Sequence, residues 1–140
     1  MKESGCMALI IGFETLNGEN LKQMGKGVNL KSDYETAIKK IHSHGIMIYG
    51  TFIFGYDGDT KESFDRTLEF TIKNKLSMAN FNPLMVMPGT MLYDRMEKEN
   101  RLIYKKWWID ESYKYGDTMF LPKNMTPQEL KEGCYRASVS

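Results

Sequence analysis

Residues 45–60, which read GIMIYGTFIFGYDGDT, decide the fold of this chain. Apolar and aromatic residues fill positions 46–54 almost without interruption and do not alternate strictly with polar ones. Such a run predicts a strand that is buried on both faces, as in a parallel sheet. The glycines and aspartates at 55–59 predict a turn, after which Asp59 or Thr60 is placed to cap a helix that begins near Lys61. Because ligands bind where parallel strands end, this stretch predicts one wall of a small-molecule site.

Two more apolar stretches predict further strands, one at residues 7–13 and one within residues 76–87 that ends near Pro83 or continues in broken form. Helical patterns lie between and after them, at 16–24, 32–45 and 60–74 and from Thr90 onward. The glycines at 25–27 predict a break after the first helix, and residues 32–35 form a capping box at the start of the second. The last of these helices is expected to place Met91, Leu92 and Met96 inward. A strand followed by a helix every 30 to 40 residues or so is typical of parallel βα units with right-handed crossovers. Three such units form a piece of a parallel α/β sheet, whereas a closed barrel needs eight.

Residues 99–140 differ in composition from residues 4–98 and predict an extension that packs on the α/β part. An aromatic segment with no clean period comes first, and Trp107 and Trp108 within it suit packing or, alternatively, a stacking platform. The run from Thr126 to Glu129 is a capping box with proline at the first helical position. The closing helix that it predicts has one apolar face, made of Leu130, Cys134 and Ala137.

The composition excludes several classes of function. The 19 basic residues nearly balance the 18 acidic ones, which predicts no nucleic-acid partner and no anionic membrane surface. No apolar run reaches the roughly 18 residues that span a bilayer. The two cysteines, Cys6 and Cys134, lie at opposite ends of the chain in no metal or redox spacing. A reduced, cytoplasmic location is therefore expected.

Polar residues at the strand ends are the candidates for ligand binding. Glu14 follows the first strand, where a carboxylate can accept hydrogen bonds from a ribose or an amino group, or alternatively serves as a helix cap or surface residue. Thr51, Gly55, Asp57 and Asp59 gather at the end of the second strand. Glycine allows a ligand to approach the backbone, and the aspartates suit hydroxyl groups or ammonium. The same residues also suit a tight turn, and two carboxylates alone are weak evidence for a hard cation.

Several of these segments together resemble a known family. The stretches GCMALIIGFET, LKQMGKGVN, YETAIKKIHSHGIMIYGTFIFGYDGDT, SFDRTLEF and FNPLMVMPGTMLYDRME resemble the radical S-adenosylmethionine enzymes, most closely the subgroup with a cobalamin-binding domain ahead of the radical barrel. The match covers about residues 4–98 and is similar to the fourth to sixth βα units of that barrel. The segment MFLPKNMTPQELKEG is similar to the C-terminal extension of one branch. The resemblance implies a partial (β/α) barrel from an iron–sulfur oxidoreductase-like enzyme.

The resemblance also implies roles for individual residues. Glu14, just after Gly12, takes the place of the polar residue that meets S-adenosylmethionine at the fourth strand. Thr51 and Gly55 fall in the fifth-strand motif near the ribose and adenine. The remaining cofactor-binding positions that the resemblance implies are the acidic turn residue Asp59 and, near the adenine, Leu84 and Met85.

One departure from the family pattern has large consequences. These enzymes hold a [4Fe–4S] cluster with three cysteines in a CxxxCxxC loop, and two cysteines cannot supply three ligands. No cobalamin-binding half is present either, and Asp117 stands where a histidine is expected. We therefore expect a fragment that is inert alone, with no catalytic or metal-binding residue of its own. The cluster, cobalamin and the small-molecule substrate belong to an intact parent, which the resemblance implies to be a cobalamin-dependent radical methyltransferase.

Two alternatives remain open at this stage. The first is a stand-alone nucleotide or small-ligand binding module of flavodoxin-like type, for which the loop GFETLNG at 12–18 is a poor phosphate cradle. The second is a structural fragment that self-associates through exposed strand edges, because uncovered edges of a parallel sheet invite pairing.

Overall fold

The computed structural model describes residues 1–23 and 30–140, without the side chains of residues 22, 23 and 30–33. Three parallel strands form one sheet in the order β1-β2-β3, with β1 at Ala8–Glu14, β2 at Met47–Phe54 and β3 at Met78–Pro83. The helices are α1 (Gly18–Gln23), α2 (Leu30–Ser43), α3 (Glu62–Lys73), α4 (Met91–Lys98) and α5 (Pro127–Ser138). The predicted α/β class and the parallel sheet are confirmed. The sheet is open, so a barrel is not confirmed.

Only one face of the sheet is covered, which corrects the prediction that β2 is buried on both faces. Phe52 and Phe54 are buried, whereas Thr51 and Ile53 are half-exposed and Met47 is exposed. Right-handed crossovers between neighbouring parallel strands carry their helices to the same side of a sheet. Because the strands follow in sequence order, the crossovers leave the other face, called the open face below, without helices among the described residues.

A row of phenylalanines holds the three strands together on the covered face. The rings of Phe13, Phe52 and Phe81 stack side by side, with centroids 5.3 and 5.5 Å apart. Phe70 of α3 packs its ring edge against Phe13 and Phe52. Stacked and edge-on aromatic pairs stabilise by about 0.5–1.5 kcal/mol each beyond the area that they bury. The row therefore fixes the register of the strand ends, where the candidate site lies.

The extension packs into the same core. Leu130, Cys134 and Ala137 of α5 are buried, as predicted, and the capping box at Thr126 and Glu129 is present. Gly133 lies against the Phe64 ring of α3, so that a Cβ atom at Gly133 would come within 2.5 Å of ring carbons. The absence of a side chain thus permits the close approach of α5 to α3.

Two local predictions need correction, and two more fall wholly or partly outside the described residues. Helix α3 begins at Glu62 after Lys61, with no side-chain cap from Asp59 or Thr60. The Asp59 carboxylate bonds to its own loop and to Asn20, and the Thr60 hydroxyl donates to the Glu62 carboxylate. Met91 is 88% exposed although it was predicted to face inward, since it is the first residue of α4; Met96 is buried as predicted. The predicted capping box at 32–35 and the break at 25–27 fall at least partly outside the described residues, and α2 begins at Leu30.

Within the described residues, no helix is both long and apolar enough to cross a membrane.

Candidate functional site

Glu14 ends β1 in an unusual backbone conformation. Its φ is 62°, and the N–H of Thr15 donates a hydrogen bond to the carbonyl of Phe13 at 2.8 Å. A hydrogen bond that spans a central residue with positive φ closes a γ-turn of the rare, strained kind. The pairing of β1 with β2 shifts register between Gly12 and Glu14 at this point. Strain of this kind in a residue other than glycine often marks a functional position.

The Glu14 side chain lies over the open face. Its Oε1 atom lies 2.6 Å from the position that a Cβ atom at Gly12 would occupy, and the Thr51 hydroxyl lies 3.7 Å from the same position. The predicted residues Gly12, Glu14 and Thr51 therefore come together at one place. No hydrogen bond or ion pair to the Glu14 carboxylate is present among the described residues. A half-buried carboxylate without a partner in the described part of the chain is available to a ligand.

A tyrosine close to Glu14 retains its proton. Burial, followed by the negative charges of Glu14 and Asp59, raises the pKa of Tyr56 to about 12. The phenol therefore remains a neutral hydrogen-bond donor throughout the physiological range.

Asp59 holds the loop after β2 in place through hydrogen bonds to its buried carboxylate. Its side chain is buried, with one carboxylate oxygen accepting from the backbone N–H groups of Gly55 and Tyr56 at 2.9 and 3.1 Å. The other oxygen accepts from Asn20 Nδ2 at 2.8 Å. Burial raises the pKa of Asp59 to about 6 in spite of these hydrogen bonds. Both oxygens have protein partners, so the turn function left open from the sequence is the one that this geometry favours.

Asp57 lies in the same loop and faces the extension. Its carboxylate forms ion pairs with Arg101 and Lys123, both at 2.9 Å, and with Arg95 at 3.5 Å. Although burial by itself would raise the pKa of Asp57, the hydrogen bonds from Lys123 and Arg101 hold it below the ordinary value. Asp57 is thus committed to protein contacts.

Gly55 is enclosed by the extension. Its φ of 112° lies in the region that favours glycine, and a Cβ atom there would come within 2.9 Å of both Phe120 and Leu130. Leu84 is buried next to it, and the Leu84 N–H donates to the carbonyl of Phe54 at 2.7 Å. The loop after β2 and the end of β3 are therefore joined by backbone contact.

A cleft of about 480 Å³ opens beside the end of β3. One wall belongs to the sheet and to the residues after β3, including Leu84 and Met85, and the other belongs to the segment 113–119. The side chains of Asn80 and Asn82 line it from the open face and have no hydrogen-bond partner among the described residues. An apolar cleft with a few polar groups of this kind is typical of small-ligand sites.

Reasoning from sequence missed several of these residues. Asn80 and Asn82 alternate along β3, and that alternation places both on one face, so a signal for them was present. Asn80 also pairs with Thr51, which in turn pairs with Gly12, in one row across the sheet. Arg101 gave no signal, because its contact with Asp57 joins residues 44 positions apart.

The candidate metal-ligating side chains of the described residues lie apart from one another. No group of three or more His, Cys, Asp or Glu side chains that would hold a metal ion exists in the described part of the chain. Cys134 is buried in α5, where burial, followed by the charge of Asp59, raises the pKa of its thiol to about 12; Cys6 precedes β1. A neutral, buried thiol is a poor metal ligand.

No family model matches the chain. It is similar to the bacteriochlorophyllide d C-12(1)-methyltransferase of Chlorobaculum tepidum, with 38% identity over 92% of this chain and 27% of the relative. It is also similar to the hopanoid C-2 methylase of Rhodopseudomonas palustris, with 30% identity over 98% of this chain and 25% of that protein. A third relative is the ribosomal protein uS12 methylthiotransferase RimO of Pelodictyon phaeoclathratiforme, with 30% identity over 71% of this chain and 24% of that protein.

The chain spans about a quarter of the length of each of these curated relatives. The similarity to the first two covers nearly all of the chain, so it includes both the sheet and the extension. The chain is therefore a homologue of proteins named as methyltransferases and methylthiotransferases.

Proposed function

We propose that the chain is part of a radical S-adenosylmethionine methyltransferase and contributes half of the cofactor site. The names of its relatives support methyl transfer. The fit of the cofactor is supported by the carboxylate of Glu14, which faces the open side of the sheet and has no partner among the residues that the structure describes, and by the adjoining cleft.

The strained γ-turn at Glu14 is the observation that carries this proposal. A left-handed conformation costs roughly 1–2 kcal/mol in a residue with a Cβ atom. The strained residue here carries a carboxylate that lies over the open face, and among the described residues this carboxylate has no hydrogen bond or ion pair that would offset the cost. A bound ligand with hydroxyl or ammonium groups would supply the missing partner.

Each predicted site residue has a proposed role. Glu14 accepts hydrogen bonds from the ribose or the amino group of S-adenosylmethionine, Thr51 lies beside it, and Gly12 leaves room for both. Leu84 and Met85 contact the adenine at the cleft. Gly55 and Asp59 act by shaping the loop that flanks the adenine, since Asp59 bonds to the loop backbone.

S-adenosylmethionine, when bound, supplies the radical and methyl-transfer chemistry of such an enzyme. The chain itself binds and orients the cofactor. Its two cysteines do not fit a [4Fe–4S] cluster, and we assign no residue here to cobalamin. The cluster and cobalamin therefore belong to the proposed parent. So does a small-molecule methyl acceptor, comparable to the bacteriochlorophyllide and the hopanoid after which two of the relatives are named.

The test is a titration of the chain with S-adenosylmethionine, followed by two-dimensional NMR because half a site binds weakly. Amide signals at the ends of β1, β2 and β3 should shift, and Glu14→Gln should weaken binding at least several-fold through the loss of a charged hydrogen-bond acceptor. Glu69→Gln is the matched control, since Glu69 is exposed on α3. Binding that is equal in Glu14→Gln and wild type would refute the assignment of Glu14.

A second candidate is self-association, and the apolar residues of the open face favour it. Ile10, Met47 and Met78 are exposed on that face, and β1 and β3 each have an edge that is unpaired within the described residues. Exposed apolar faces and free strand edges promote pairing between copies. Multi-angle light scattering should show dimers or larger species at high concentration. A monodisperse monomer would count against this candidate.

A further inference from the structure

The loop at residues 55–59 is held by the extension as well as by its own hydrogen bonds. Arg101 Nη1 donates to the Asp57 carboxylate at 2.9 Å, while Arg101 Nε donates to the carbonyl of Leu121 at 2.8 Å. The guanidinium thus connects the loop to the backbone of the extension. It also lies over the Phe120 ring, with 6.0 Å between the guanidinium carbon and the ring centroid. These contacts fix its orientation.

A second residue of the extension binds the loop backbone. Asn124 Nδ2 donates to the carbonyls of Asp57 and Asp59, at 2.8 and 3.1 Å. Asn124 is itself exposed, so its contribution to the core is small. The main effect of its two hydrogen bonds is therefore to hold the loop backbone in place.

Burial distinguishes the ion pair between Asp57 and Arg101 from an ordinary surface ion pair. The side chains of Asp57 and Arg101 are 7% and 11% exposed. Exposed ion pairs contribute little to stability, whereas a buried guanidinium that also bonds a backbone carbonyl is costly to remove. Asp57 keeps Lys123 and Arg95 as partners without Arg101, so the loss is mainly that of the link from the loop to the Leu121 carbonyl. The loop conformation is therefore sensitive to the presence of Arg101.

We propose that Arg101 and Asn124 are positioning residues of the cofactor site, which fix the loop that carries Gly55 and Asp59. This inference rests on the proposed function for its significance. Its structural content does not depend on ligand binding: the extension holds the loop in one conformation, and without these contacts the loop opens more often. The loop, which lies in residues 4–98, and the two residues that hold it, which lie in residues 99–140, then belong to one functional unit.

Hydrogen–deuterium exchange of the peptide that contains residues 54–60 tests the inference without a ligand. The N–H groups of Gly55 and Tyr56 are protected by Asp59. Arg101→Gln and Asn124→Ala should each accelerate exchange of this peptide by about tenfold, the effect of losing a hydrogen bond to a charged group or two to carbonyls. Arg101→Lys should restore part of the protection.

Arg136→Gln is the matched control. Arg136 of α5 pairs with Asp65 of α3 at 3.0 Å, so it also joins the extension to the α/β part, but it does not touch the loop. Its exchange in the 54–60 peptide should equal that of the wild type. If Arg101→Gln does not fold, as judged by circular dichroism, Asn124→Ala decides the question. Wild-type exchange rates in folded Asn124→Ala would overturn the proposal.

Titration with S-adenosylmethionine separates this inference from the proposed function. If the wild type binds, Asn124→Ala should bind several-fold more weakly and Arg136→Gln should bind equally well. Faster exchange with unchanged affinity would overturn the positioning role. A wild type that does not bind, together with faster exchange in Asn124→Ala, would refute the cofactor site of this chain while leaving the structural role of the extension intact.

Discussion

The Glu14 carboxylate occupies the space above Gly12, so that its Oε1 atom lies only 2.6 Å from where a Cβ atom of residue 12 would be. A methyl group at position 12 and the present position of the carboxylate exclude each other. Because the carboxylate is the far end of a flexible side chain, it can move at little cost. A substitution at Gly12 can therefore test ligand binding with little effect on stability.

Gly12→Ala should weaken binding of S-adenosylmethionine several-fold while the free energy of unfolding changes by less than about 1 kcal/mol, since only the carboxylate must move. NMR titration and urea denaturation measure the two effects. Equal affinity in Gly12→Ala and wild type would show that the position of the carboxylate over Gly12 is not used.

Glu14→Gly should stabilise the chain and weaken cofactor binding at the same time. Glycine removes the left-handed penalty of roughly 1–2 kcal/mol but adds backbone entropy of roughly 0.5–1 kcal/mol, so we expect a net gain of about 0.5–1 kcal/mol. Lys75→Gly is the matched control, because Lys75 also has a positive φ of 52° but lies between α3 and the start of β3, at the opposite end of the parallel sheet from Glu14. Lys75→Gly should raise the stability measured by thermal denaturation without changing the affinity for S-adenosylmethionine. A loss of stability in Glu14→Gly would contradict the interpretation of strain.

Gly133→Ala should destabilise the chain by about 1–3 kcal/mol, the usual cost of overpacking, even though alanine is the better helix former. The added Cβ atom would meet the Phe64 ring, which is buried and packs against Phe54 with 4.5 Å between centroids, so the ring has little room to move. Gly18→Ala is the control, since a Cβ atom there meets nothing within 4 Å. Urea denaturation should show a lower midpoint for Gly133→Ala only.

Asp59 should make stability depend on pH. Its pKa is about 6 in the folded chain, above its ordinary value of 3.8. Between these values the folded chain retains a proton that the unfolded chain has released. The contribution of Asp59 to the free energy of unfolding is therefore fully present below about pH 4 and is lost as the pH rises through 6, a change of up to about 3 kcal/mol.

Asp59→Asn removes this titration. The difference in unfolding free energy between wild type and Asp59→Asn should shift in favour of the wild type as the pH is lowered from 7 to 4. Urea denaturation at several pH values measures it. A difference that is independent of pH would contradict the raised pKa.

The sequence predicts local features well where a short pattern determines them. The apolar runs located all three strands, and the Thr126 capping box located the start of α5. Burial of β2 was predicted wrongly, because a continuous apolar run does not reveal that every crossover passes on the same side. Thr51 and Ile53 are half-exposed for that reason.

The candidate site was predictable in part. Glu14 was identified from its place at the end of a strand, but its γ-turn was not, since nothing in the residue type indicates positive φ. Asp57 and Asp59 were recognised as loop residues, yet their partners lie far away in sequence: Asn20 precedes the loop, and Arg101 follows it. Contacts across such separations become visible only when the chain is folded.

The loop at 55–59 depends on residues from both sides of it in the chain, and this has a consequence for the order of synthesis. The hydrogen bonds between the loop and Asn20 can form as soon as residue 59 has been made, because Asn20 precedes the loop. The hydrogen bonds from the extension to the loop require Asn124, which the ribosome adds 65 residues after Asp59. During translation the strands and the phenylalanine row can therefore assemble first, while the loop acquires its final shape only after the extension has emerged.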